Sequence, residues 1–199
     1  MSGAREPKRP YRKGDDVRAD LLQATVDLLS ERLPTDVSIR AIGDRAGLQH
    51  SLVNRHFGSK DQLVAVALSE LTTRYAGIVA DADDPVDGFL AALDHLRDNP
   101  TRALAMSADG SERTGDDAAA KFPGFNAHLA QFVAAGAPDD EHTRLVTAMV
   151  IALIAGWAFL EDTFLEAAGL DEVDDDEIRD RVAGIIGRLI ERETGTTKR

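Results

Sequence analysis

Residues 49–60 read Gln-His-Ser-Leu-Val-Asn-Arg-His-Phe-Gly-Ser-Lys, and six of the first eight side chains carry a hydrogen-bond donor or acceptor. Leu52, Val53 and Phe57 are spaced to hold one face of such a segment against a core. Gln49, His50, Ser51 and Asn54 then form a surface that presents hydrogen bonds, the chemistry that reads base edges in a duplex groove. Arg55 and Lys60 add the positive charge that phosphates attract. Catalytic chemistry finds less support. There are no cysteines, which removes disulfides, thiolate catalysis and Cys-based zinc sites. The run "GSK" at 58–60 lacks the remaining glycine and spacing of a P-loop. "DEVDDDE" at 171–177 is acidic but lacks the Gly and closing Glu of a calcium loop. The five histidines show no His-Glu-x-x-His spacing, and no nucleophile elbow or dinucleotide fingerprint is present. No catalytic residue, metal site or cofactor is therefore expected, and a helical enzyme would need a constellation that the chain does not display.

The polar segment needs elements to position it. Apolar residues recur at helical spacing and nothing alternates strictly, so the expected class is all-α. A first helix is predicted over Val17–Arg32. Val17, Leu21, Ala24 and Leu28 form one stripe and Leu22, Val26, Leu29 and Leu33 its neighbour, with Asp15 or Asp16 as cap and Pro34 as terminator. A second runs from a Ser38 cap to Gly47. A third covers Gln49–Phe57 and ends on Gly58 in a left-handed conformation. Ser59 caps a fourth, with Leu63, Val66, Ala67, Leu71 and Ile78 on one side. Further helices are predicted after Pro85, shortly after Pro100, and over about 122–135, 140–168 and 174–193. The polar stretch 108–119 is the segment most suited to disorder. Helix, short helix, Gly-containing turn, short helix is the helix-turn-helix arrangement, whose second short helix enters the major groove. Ile39, Ile42, Ala46, Leu48, Val53 and Phe57 would form its clamp.

Charge divides in the same way. The chain carries −12 overall, which suits a nucleic-acid partner poorly until it is partitioned. Residues 1–74 hold 12 Lys and Arg against 10 Asp and Glu, and residues 75–199 hold 11 against 25. Arg5, Lys8, Arg9, Arg12 and Lys13 make the start a basic arm, equally suited to touching DNA and to serving as a solubilising tail. The expected division is an arm at 1–14, a helix-turn-helix domain at 15–62 and a helical domain at 63–199.

Residues 38–63, "SIRAIGDRAGLQHSLVNRHFGSKDQL", resemble the DNA-binding motif of the TetR family of bacterial transcriptional regulators. The resemblance rests on Ser38, Ile42, Ala46, Gly47, Arg55, His56, Phe57, Ser59, Lys60 and Leu63, in register and without gaps. It extends over roughly residues 17–65. Asn54 stands where the family usually has Tyr, Gln49 where it has Ser, and Gly43 where it has Ala. Ser51 and Leu52 replace the common Gly and Thr, which points to an operator peculiar to this chain. The resemblance implies a double-stranded DNA operator, with Ser38, Arg40, Gln49, His50, Ser51, Asn54, Arg55, His56 and Lys60 at the interface. His56 fits helix-end packing as well as a phosphate contact, and Arg55 fits a solvated cation as well. It also implies a homodimer through the last two helices, reading half-sites about 34 Å apart, and repression as the usual sign.

After residue 85 come six Phe and the single Trp. Phe89, Phe122, Phe125, Phe132, Trp157 and Phe164, with His95 and His128 to orient a ligand, are the candidate lining for a largely apolar small molecule. Ordinary core packing accounts for each residue singly. Residues 145–160 are an uncharged apolar run of 16 residues, short of the roughly 18–20 that span a bilayer. They suit a helix buried on all faces, and with no leader-like start the expected location is the cytoplasm. The alternative reading is an all-α small-molecule-binding or scaffold protein that has lost DNA reading, kept open by the acidic total and by Asn54.

Overall fold

The computed structural model describes residues 14–97 and 122–195. The basic residues 5–13, the helix expected after Pro100 and the polar stretch 108–119 lie outside them. The described residues form α1 (Gly14–Glu31), a 3-10 turn (Pro34–Asp36), α2 (Ile39–Ala46), α3 (Ser51–Phe57) and α4 (Lys60–Ala80). There follow α5 (Pro85–Arg97), α6 (Pro123–Ala134), α7 (Glu141–Ala168) and α8 (Asp175–Thr194). No strand occurs among them, so the class is all-α.

Short polar side chains start these helices where the sequence places them. Ser38 Oγ accepts from the Ala41 N–H at 3.1 Å, and Ser59 Oγ from the Gln62 N–H at 3.1 Å. Asp140 and Asp174 do the same for α7 and α8. Each satisfies a donor that the first helical turn leaves unpaired. Two starts differ from expectation. Asp15 and Asp16 lie inside the first turn of α1, where they face the positive end of its dipole instead of capping it. Gln49 and His50 precede α3, which begins at Ser51. There Leu52 N–H reaches Gln49 O and Val53 N–H reaches His50 O, three residues back, so the chain is still turning.

The apolar interior falls into two clusters. One joins Leu21, Leu28 and Leu29 of α1 to Ile42, Val53 and Phe57, and to Leu63, Ala67 and Leu71 of α4. The other joins Tyr75 and Val79 of α4 to Phe89, Leu93, Phe132, Val150, Ile154, Ile186 and Ile190. α4 therefore supplies side chains to both, and any tilt of its first half relative to its second would strain one of them.

α7 departs from the expectation of burial on all faces. Val146, Val150 and Ile154 are buried, yet Leu145, Met149 and Leu153 are 58%, 55% and 44% exposed. Leu160 and Phe164 continue this row at similar exposure, and Ile185 of α8 is 57% exposed. The helix packs on α5, α6 and α8, and no described element covers its outward row. At 28 residues it is long and apolar enough to cross a bilayer, as is α4. Yet α4 feeds both cores, and α7 turns one face into the second, which is the geometry of core and interface helices.

Candidate nucleic-acid interface

α2, the turn and α3 form one tightly crossed unit. Gly47 takes φ 64°, a left-handed conformation that glycine adopts without steric cost, and folds the chain back so that Leu48 N–H reaches Gly43 O at 2.9 Å. A Cβ on Gly43 would sit 3.0 Å from Leu48 O and 3.1 Å from His50 N and Cα. The departure from Ala at 43 thus has a physical meaning, since it lets the start of the reader lie close on α2. Gly58, at φ 81°, ends α3 with its N–H on Asn54 O. That is a positive φ, though outside the left-handed helical region.

α3 buries Val53 and Phe57 and turns the opposite face outward. Ser51, Asn54 and Arg55 are exposed, as are Gln49 and His50 in the turn before it. The helical period puts residues 51, 54 and 55 on one side and 53 and 57 on the other. Ser38 and Arg40, at the start of α2, are exposed too, and Arg40 makes only a loose 3.9 Å pair with Asp44. His56 is half-buried. Lys60 opens α4 beside the Ser59 cap, 3.7 Å from Asp61. The nine residues therefore gather on and around one short helix and its two neighbours. Backbone N–H groups at the start of α4 favour an anion beside Lys60.

The unit is braced from outside its motif. Arg45 Nη2 donates to both Glu31 carboxylate oxygens at 2.9 and 2.8 Å, tying α2 to the end of α1. This guanidinium holds the Glu31 carboxyl below the usual carboxylate range. Local sequence offers no signal for such a pair, because the partners lie on different helices.

The candidate ligand residues separate into two sets. Phe89, His128 and Phe132 are fully buried in the second cluster, with Trp157 packed against it and His95 and Phe125 half-buried. Phe122 and Phe164 are 49% and 47% exposed and stand apart. Phe122 precedes the first turn of α6, and Phe164 lies on the outward row of α7. The sequence reading missed Tyr75, the centre of this region. Its hydroxyl is 2.9 Å from His128 Nε2, and its ring centroid is 6.4 Å from that of His95. Burial pushes the Tyr75 hydroxyl well above its ordinary pKa and lowers His128 to about 4. The Trp157 indole N–H is also buried and has no acceptor among the described residues. His142 lies outside this group, its Nε2 3.0 Å from the Glu193 carbonyl oxygen. Among the described residues no cluster of three or more His, Asp and Glu is arranged to hold a metal ion.

Gly124 sets how closely α6 rides on Tyr75. A Cβ there would lie 2.8 Å from ring carbons Cδ1 and Cε1. Gly124→Ala must displace the ring and is expected to cost about 1–3 kcal/mol in urea unfolding. Gly77→Ala, at a site with open space, is the control and should be neutral or stabilising by up to about 1 kcal/mol.

A helix-turn-helix head joined by a continuous helix to an all-helical body is the architecture of a DNA-binding regulator. Residues 21–67 match the family profile of bacterial regulatory proteins, tetR family. Over 177 residues the chain is 35% identical to an HTH-type transcriptional repressor of Mycobacterium tuberculosis, covering 89% of this chain and 90% of that one. It is equally similar to an HTH-type transcriptional regulator of Mycobacterium bovis. A solved TetR transcriptional regulator from Streptomyces coelicolor superposes with a TM-score of 0.64 at 20% identity, over 89% of this chain and 98% of that one. The chain belongs to the TetR family, and it is a DNA-binding transcriptional regulator.

Proposed function

We propose that the chain is a homodimeric repressor that leaves a twofold-symmetric operator when a largely apolar small molecule binds its second cluster. The observation that carries the reader assignment is the uncovered polar face of α3, held by buried Val53 and Phe57 on its other side. Gln49, His50, Ser51 and Asn54 read bases, while Ser38, Arg40, Arg55, His56 and Lys60 meet the phosphate backbone. Repression as the sign draws on the relative named a repressor. The head is residues 15–62 and the body 63–199, with α4 as the link, and the cytoplasm, where the DNA lies, is its place of work.

For the ligand, Phe89, Phe132, Phe125 and Trp157 supply apolar surface, with His95 and His128 as polar partners. The buried Trp157 N–H favours a molecule with a hydrogen-bond acceptor, because an unmet buried donor costs about 1–3 kcal/mol. Release works by linkage: ligand prefers the state in which the two heads no longer match the operator spacing. Clearing a mostly occupied operator takes about 3–5 kcal/mol of such preference.

Selection from a randomised duplex library, followed by anisotropy titration, tests the reader. The wild-type protein should select a palindrome. Gln49→Ala, His50→Ala and Asn54→Ala should each relax preference at particular base pairs, by about 1–3 kcal/mol. Lys60→Ala should weaken all sequences alike and reduce the salt slope by about one. If the three reader variants select the wild-type palindrome with wild-type affinity, α3 is not the reader.

A further inference from the structure

We infer that Arg18, in the second turn of α1, is a positioning residue that clamps the C-terminal end of α3 and sets the angle at which the reader meets DNA. The inference rests on the reader assignment above and concerns a residue outside the matched family profile, which begins at Leu21.

Arg18 Nη1 donates to the His56 carbonyl oxygen at 2.6 Å. The same guanidinium carbon lies 4.1 Å above the centroid of the Phe57 ring. One side chain therefore grips the last two residues of α3 by two different interactions. The first satisfies a carbonyl in the last turn of the helix, where backbone acceptors have no partner within it. The second stacks a planar cation on an aromatic face. A lysine ammonium, a point charge without a plane, cannot stack on the ring while it donates to the carbonyl as the guanidinium fork does.

Why α3 needs such a grip follows from its size. Seven residues are too few for a helix to persist by itself in water, so tertiary contacts decide its orientation. Val53 and Phe57 are its only buried side chains, with Leu52 partly buried against the same core, and so few anchors fix the tilt of the helix only loosely. The start of the reader is held by the close approach of Gly43 to His50, and Arg18 holds its end. The first residue of α1 also lies beside the His56 ring, because a Cβ on Gly14 would sit 3.9 Å from His56 Cε1. With Glu31 gripping Arg45 of α2, α1 braces both helices of the motif, one from each of its ends.

A phosphate contact is the competing role for an exposed arginine here, and the two roles move different quantities. Arg18→Met keeps bulk over Phe57 without charge or donors; Arg18→Lys keeps charge without the fork. Both are made in the full chain. Binding is measured to the duplex that the wild-type protein selects and to a scrambled duplex of equal length, across salt. Amide exchange is read at Asn54–Gly58 in the free protein.

As a clamp, Arg18→Met should cost roughly tenfold on the selected duplex, the scale of one hydrogen bond to a charged group. Affinity for the scrambled duplex and the salt slope should hold, and Gly58 N–H should exchange several-fold faster. Arg18→Lys should recover only part of each loss, and it decides the question by the same readouts should the Met variant fail to fold. Equal losses on both duplexes with a slope lower by about one would make Arg18 a phosphate contact instead. Unchanged exchange would overturn the clamp outright. Should the wild-type protein select no duplex, the DNA reading fails, while the exchange measurement still decides whether Arg18 holds α3.

Discussion

Leu153→Glu and Ile185→Glu are each expected to turn the dimer into single chains at micromolar concentration while leaving helical content intact. Operator affinity should fall by two orders of magnitude or more. The outward row of α7 exposes Leu145, Met149, Leu153, Leu160 and Phe164, and Ile185 of α8 is exposed as well; monomeric proteins rarely leave large apolar patches bare. In the proposed homodimer a second copy of the same face would cover them by twofold symmetry, so every substitution would enter the interface twice. Burying a leucine contributes about 1.5–3 kcal/mol, and a carboxylate in its place adds a desolvation cost. The effect on DNA then follows from linkage of the two heads. Held together, the second head binds at high effective concentration, and avidity can exceed a single head's affinity by about 10²–10⁴. Sedimentation and anisotropy on the same samples read both quantities. A wild-type protein that sediments as one chain at every concentration would remove the interface, and a monomeric variant with wild-type affinity would remove the need for it.

Much of this architecture was legible in the sequence because its determinants are local. Ser38, Gly47, Ser59, Asp140 and Asp174 act on donors and acceptors within a few residues, so their type and place suffice. The core of the head was legible for the same reason: Ile42, Val53 and Phe57 recur at the helical period. Less legible was anything decided by a partner from another helix. Arg18 looks like any solvated cation near a helix start until His56 and Phe57 come to it, and Gly43 like a weak helix residue until His50 crosses it. Tyr75 looks like one more polar interruption of α4 until α6 lays His128 against it. The apolar run 145–160 suggested burial on all sides, since composition does not reveal that helices lie beneath only one face. The same blindness grouped Phe122 and Phe164 with Phe89 and Phe132, although the first two are exposed. Aromatic content marks a region, whereas a shared site needs the side chains to converge.

That convergence makes His128 an acid-sensitive joint, and its removal should flatten the stability profile below neutrality. His128 lies buried where α6 meets α4, with the Tyr75 hydroxyl on its Nε2 and the His95 ring centroid 6.4 Å from that of Tyr75. Gly124 lets the α6 backbone close over that ring, and Gln131 Nε2 ties the same helix to Val79 O and Ala82 O at 2.9 Å each. The imidazole therefore cannot reach water without opening the joint. Burial lowers its pKa from 6.5 to about 4, because the charged form loses hydration that a phenol replaces only in part. Unfolded, the ring binds its proton near 6.5; folded, it waits until about 4. Across that window the unfolded chain holds the extra proton, so acid favours unfolding. The contribution is fully present above 6.5 and is lost as pH falls toward 4, amounting to about 3 kcal/mol. Between pH 7 and pH 5 the wild-type protein should lose about 2 kcal/mol from this source alone. His128→Gln keeps a polar partner for Tyr75 but has no proton to take up, so it should start lower at pH 7 and lose correspondingly less on acidification. Urea unfolding free energies at half-unit intervals measure the difference. Parallel profiles for the two proteins would mean that His128 already titrates near its ordinary value, and that the joint between α4 and α6 opens readily to water.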